Sequence, residues 1–200
     1  NIETMINHAK SVSLGIKKSL LVVDMPKDSY KNPKQAIKNA KKILNETNCD
    51  AIKIENNFNN LNIVKAFKKS KINVMGHIGY TPQFKKKFKV EGKTKIEQKK
   101  LIKQASEIEK AGAFSIVIEC VSKSTAKKIT NLLKIPTIGI GASKSCDGQI
   151  LVTDDLLGAS GFYPKFVKKY ANLEKIIENA IKQFSKDVKS SKFPKNENSF

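Results

Sequence analysis

The chain has 200 residues, 40% hydrophobic and 28% charged: enough for one domain with a real core, and short for two. Its formal charge of +20 comes from 38 basic residues against 18 acidic ones, and every basic residue is lysine. Base readout and bidentate phosphate clamping lean on arginine, and these lysines spread over every segment beside abundant Asn and Ile, so the excess is read as coding bias on solvated faces and no nucleic-acid partner is expected.

In chain order, short apolar runs alternate with amphipathic stretches. Leu20 to Asp24 reads as a strand, followed by a helical stripe of Ala36, Ile37, Ala40, Ile43 and Leu44. Asn32 before Pro33 supplies that helix with an N-cap and a proline at its first position. Ala51 to Glu55 and Ile72 to Gly76 are the next strands; Leu101, Ala105 and Ile108 then stripe a helix closed by Gly112 in the C′ place. Phe114 to Glu119, a helix on Ala126, Ile129 and Leu133, and strands at Ile135 to Ile140 and Gln149 to Val152 follow. The longest stripe, Phe166 to Phe184, reads as an extra C-terminal helix. Residues 1–185 are expected to form one β/α domain that includes the C-terminal helix, and 186–200 a polar, frayed tail.

Val- and Ile-rich runs of this length are expected of buried parallel strands. Repeated βα units argue a parallel sheet, either a (β/α)₈ barrel or an open doubly wound sheet. Six strands leave a barrel two short of its eight, and such barrels run to about 250 residues. No apolar run reaches the roughly 20 residues that span a bilayer. Residues 1–18 lack the apolar stretch of a signal peptide, so a cytoplasmic location is expected.

The polar residues of interest stand at strand ends, which in α/β barrels form the active-site face. Asp24, Glu55 and Glu119 end their strands, His77 follows Asn-Val-Met-Gly, and Lys53 shares a face with Glu55 two residues on. Any one of these has a structural reading, as a first loop residue, a packed histidine or a plain ion pair. Four strands delivering them at one level favour a site. Cys49, Cys120 and Cys146 are widely spaced without a C-x-x-C pair, and only His8 and His77 accompany them. Neither a disulfide frame nor a structural zinc is expected, and the three are read as reduced thiols. Carboxylates without thiolates favour a hard cation such as Mg²⁺. Such an ion could polarise the ketone of a 2-oxo acid, while a partly desolvated carboxylate takes the proton beside it. Gly139-Ile-Gly141 and Gly92-Lys93-Thr94 lack the further glycines of nucleotide loops and are read as turns.

At these residues the sequence resembles the ketopantoate hydroxymethyltransferase family. The matching stretches include Leu21-Val-Val-Asp-Met-Pro26, Ile52-Lys-Ile-Glu55, Gly76-His-Ile-Gly-Tyr-Thr-Pro-Gln83 and Lys89-Val-Glu-Gly-Lys93. Val117-Ile-Glu-Cys-Val121, Ile135-Pro-Thr-Ile-Gly-Ile-Gly-Ala142 and Asp147-Gly-Gln-Ile-Leu-Val152 continue them in the family's order. The resemblance implies a (β/α)₈ TIM barrel, Mg²⁺, and transfer of a hydroxymethyl group from 5,10-methylenetetrahydrofolate to 3-methyl-2-oxobutanoate. It also implies a homo-oligomer, commonly a decamer. Carried over by residue, Asp24 binds metal and substrate, Glu55 serves the metal, Lys53 and His77 contact the substrate, and Glu119 is the proton acceptor. The family's first two strands, with a second metal-binding Asp and a substrate-binding Ser, would precede Asn1, as in a C-terminal piece of a longer protein or a sequence with a mis-set start. Ser143, Asp154 and the shorter Phe84 to Phe88 segment depart from the family pattern and bear on loop geometry and folate contacts. The alternatives are an inactive remnant of the enzyme, a related Mg²⁺-dependent 2-oxo-acid lyase, and a basic nucleic-acid-binding module.

Overall fold

The computed structural model describes residues 1–56 and 60–200. Two compact units divide the chain, Asn1–Ile150 and Leu151–Phe200.

The first unit is a six-stranded, all-parallel sheet in the order β1 to β6. The strands are β1 (Val22–Asp24), β2 (Ala51–Lys53), β3 (Val74–Gly79), β4 (Ser115–Glu119), β5 (Thr137–Ile140) and β6 (Gly148–Gln149). The helices are α1 (Ile2–Ser13), α2 (Pro33–Thr47), α3 (Leu61–Lys69), α4 (Lys95–Ala111) and α5 (Lys123–Leu132). Each strand neighbours the next in sequence. With right-handed crossovers this order puts the intervening helices on one face and makes them pack in series, α1 on α2, α2 on α3, α3 on α4 and α4 on α5. A doubly wound sheet would reverse its strand order; this one does not.

Local chemistry sets the element ends. Asn32 caps α2, accepting from the Gln35 N–H at 2.9 Å, with Pro33 at the first turn. Thr94 and Glu97 form a reciprocal capping box on α4, which ends at Gly112 with φ 106°. The Gly92-Lys93-Thr94 segment is therefore a turn leading into a helix cap.

Two side-chain sets alternate along the strands. Val23, Ile52, Ile54, Val74, Ile78, Ile116 and Ile118 are buried against Ala36, Ala40, Ile43, Ile63, Phe67, Ala105, Ile108, Ala126 and Ile129 of the helices. The other set holds Lys53, Met75, His77, Val117, Glu119, Ile138 and Ile140, and in this order of strands it lines the face opposite the helices. A strand covered by helices on one side and curving around a polar-and-apolar interior on the other reads as continuously hydrophobic, which is why the runs stood out in sequence.

Some boundaries differ from the sequence reading. β3 continues through Gly79, so His77 sits within the strand, because the register with β4 holds as far as Gly79 opposite Glu119. β6 stops at Gln149, and Ile150 and Val152 are exposed rather than strand core. The short helix α3 was not expected; its apolar residues Ile63, Val64 and Phe67 span little more than one turn.

In the second unit, α6 (Thr153–Leu157) ends at Gly158, and α7 (Leu173–Lys189) starts at an Asn172 cap. α7 runs beyond residue 185, where the polar tail was expected to begin, because the Ile177, Ile181, Phe184 and Val188 spacing carries the helical pattern on. Those side chains are exposed. No helix among the described residues is long and apolar enough to cross a membrane.

Candidate active site

The strand ends of β1 to β4 bring together the residues singled out above. Asp24 and Lys53 are register partners at the ends of β1 and β2, and the Lys53 ammonium bonds Asp24 Oδ2. Asp24 Oδ1 is buried and has no partner among the described residues. A buried carboxylate oxygen left unmatched is costly and calls for a donor or a cation.

Glu55 follows β2 and is 2% exposed. Burial pushes its carboxyl up to about 7, against the opposing pull of the Gln83 N–H and of the Lys53 charge. The Gln83 main-chain N–H donates to Glu55 Oε2 at 2.9 Å.

His77 and Glu119 meet across β3 and β4, with His77 Nε2 3.1 Å from Glu119 Oε2. The approach is close but poorly aligned, so neither ring nitrogen has an aligned hydrogen-bond partner among the described residues. Burial holds the imidazole below its ordinary pKa, which keeps it neutral at pH 7 although Glu119 pulls the other way. A neutral imidazole can donate from one nitrogen and accept at the other.

Close backbone packing fixes the two strand ends. Gly79 has φ +92°, and a Cβ there would lie 2.1 Å from the Glu119 carbonyl oxygen. Only glycine permits this approach, which lets the Tyr80 N–H donate to the same oxygen at 2.8 Å. After Glu119 the chain turns through Cys120 at φ 51°; its thiol is pushed up to about 11 by burial and then by the Glu119 charge, and so stays protonated.

Three supporting residues escaped the sequence reading as individuals. Asn56 donates from its N–H to the His77 carbonyl at 2.8 Å and accepts the His77 N–H on Oδ1 at 2.9 Å, binding β2 to β3 at the histidine. Gln104 of α4 donates to the Asn56 carbonyl at 2.9 Å. Tyr30, 5% exposed, donates its phenol to Gln83 Oε1 at 2.5 Å. Gln83 lay inside a quoted motif; Asn56 and Gln104 sit 48 residues apart in sequence and carry no local signal.

Taken together, these elements make an α/β protein whose six-stranded, parallel, singly wound half-barrel sheet carries carboxylates, a lysine and a neutral histidine at its strand ends. The family model for ketopantoate hydroxymethyltransferase matches residues 1–196. The chain is 52% identical over 199 residues to a 3-methyl-2-oxobutanoate hydroxymethyltransferase of Pelagibacter ubique, covering all of this chain and 77% of that one. It is 46% identical over 198 residues to the enzyme of that name from Bartonella bacilliformis, covering 97% and 73%. Among solved structures, a phosphonopyruvate hydrolase aligns over the whole chain and 71% of its own, with a TM-score of 0.58 and 11% identity, a likeness of fold alone. The chain belongs to the ketopantoate hydroxymethyltransferase family and is an enzyme of that class.

Proposed function

We propose that the chain transfers a hydroxymethyl group from 5,10-methylenetetrahydrofolate to 3-methyl-2-oxobutanoate, giving 2-dehydropantoate, with Glu119 as the proton acceptor. The observation that carries this reading is the Glu119 carboxylate beside a buried neutral His77, 3.1 Å away, at the end of the strand face that also presents Lys53 and Asp24. A 2-oxo acid has an acidic C–H at C3, a ketone and a carboxylate. Glu119 takes the C3 proton, and neutral His77, made a weaker base by its burial, hydrogen-bonds the substrate. Lys53 meets the negative carboxylate or the developing oxyanion. Water opens the methylene bridge of the folate, its C–N bonds breaking to leave tetrahydrofolate and a one-carbon unit at the formaldehyde level; the carbon nucleophile adds to that unit, and its oxygen, once protonated, is the hydroxyl of the product.

The residues fit a hard divalent cation. Asp24 has an orphaned buried oxygen, and Glu55 adds a second carboxylate at the next strand end. Mg²⁺ typically takes one or two carboxylates and fills its remaining positions with water and substrate oxygens. Asp24 and Glu55 would hold the ion, which when bound supplies Lewis acidity to the ketone.

This reading takes the six strands as six of the eight in a (β/α)₈ barrel, with a homo-oligomer, decameric by family resemblance, as the working assembly in the cytoplasm. Mass-spectrometric detection of 2-dehydropantoate from 3-methyl-2-oxobutanoate, Mg²⁺ and 5,10-methylenetetrahydrofolate tests it. Product that requires the folate supports the reading. Folate-independent cleavage of a 2-oxo acid would favour a lyase instead.

A further inference from the structure

The segment joining β3 to α4 is tied down at both ends beside the proposed site. At its far end the Glu91 N–H donates to the Cys120 carbonyl and the Ser122 N–H donates to the Glu91 carbonyl, at 2.9 and 2.8 Å, directly after Glu119. In its middle the Lys85 ammonium bonds the Gly79 carbonyl at 2.6 Å and pairs with Glu91, closing the loop on itself. Its near end is held by Gln83. That one residue donates from its main-chain N–H to Glu55 Oε2, donates from Nε2 to the Met25 carbonyl at 2.9 Å, and accepts the Tyr30 phenol on Oε1.

Met25 and Tyr30 belong to the connection that follows Asp24, and both side chains are buried. Gln83 therefore joins three strand ends: those of β1, β2 and β3. The Met25 carbonyl only accepts, so the amide NH₂ must face it, and a flipped side chain loses that bond. The main-chain bond to Glu55 and both side-chain anchors come from this one residue, so a shift of Gln83 moves all three together.

We propose that Gln83 is a positioning residue: its side-chain amide latches the β3–α4 loop to the β1 connection and thereby fixes the Glu55 carboxylate over the strand ends. The assignment rests on the reaction proposed above. A site whose groups act by placement loses rate steeply when one moves, about a hundredfold for an ångström.

The test is Gln83→Met, which keeps the length and removes both polar bonds, assayed in the full chain beside Tyr30→Phe, which removes one. Expected for Gln83→Met is a fall in kcat of about 10- to 100-fold with KM for 3-methyl-2-oxobutanoate within about threefold. Amide hydrogen exchange should lose protection both at residues 25–31 and at 80–84, while β3 and β4 keep theirs. Tyr30→Phe should move both readouts in the same direction by less. A folded Gln83→Met with kcat within twofold of the parent, or with both loops still protected, overturns the proposal. If Gln83→Met does not fold, Tyr30→Phe decides, an unchanged kcat and unchanged protection counting against the latch. If the parent chain makes no product, the reaction reading has failed, and the protection pattern alone decides whether Gln83 is a latch.

Discussion

Two side chains in the site keep polar atoms unmatched in a buried setting, and these are what a substrate or cation would complete. Lys53 tests this most simply. Lys53→Met removes the cation that partners Asp24 and that the proposed reaction sets against the 2-oxo acid, so KM for that acid should rise about 10- to 100-fold, the size of one lost hydrogen bond to a charged group. Steady-state kinetics at saturating folate measure it, and an unchanged KM would remove Lys53 from substrate binding. His77 was legible in sequence as a motif residue, but its neutrality was not. That state comes from burial produced by strands far apart in the chain. Glu55 behaves likewise: its position follows from two-residue alternation, whereas its raised pKa comes from burial in the folded core, against the pull of the Gln83 N–H.

At the scale of elements, capping and periodicity were read directly. Asn32-Pro33 and the Gly112 stop stand where residue chemistry put them, since a cap involves only near neighbours. Thr94→Ala should lower stability by about 1 kcal/mol and leave kcat unchanged, a shift visible in thermal denaturation. Phe67→Ala removes a fully buried ring between α3 and the sheet and should cost about 3–5 kcal/mol. Gly79→Ala belongs to a different class. Its Cβ would meet the Glu119 carbonyl, so the ends of β3 and β4 must part, and activity should fall far more than stability. The extent of β3 was less legible because its apolar run is broken at Gly76, where the expected strand ended. Only pairing with β4 extends it to Gly79. α3 was missed because a helix of nine residues carries barely two turns of apolar spacing.

For the whole molecule, the consecutive strand order settles the choice between a doubly wound sheet and the singly wound kind, a choice that local pattern left open because both arise from the same βα units. The charge of +20 has no counterpart in the site, where the acids outnumber the one lysine. Global stability also carries the imprint of Glu55. Its folded pKa of about 7 exceeds its ordinary 4.5, so the folded state binds the extra proton between those values. Stability is therefore fullest below about pH 4.5 as far as this group is concerned, and its share, about 3 kcal/mol, is lost as pH rises through 7. With a chelator present, denaturant titrations at pH 5.5 and 7.5 should differ in this sense, and Glu55→Gln should flatten the difference. The central claim, that Glu119 removes the C3 proton of a 2-oxo acid, is tested most directly by following deuterium exchange at C3 of 3-methyl-2-oxobutanoate by NMR, with Mg²⁺ and without folate. Exchange by the parent chain that vanishes in a folded Glu119→Gln is the predicted result, and equal exchange by both would contradict the assignment.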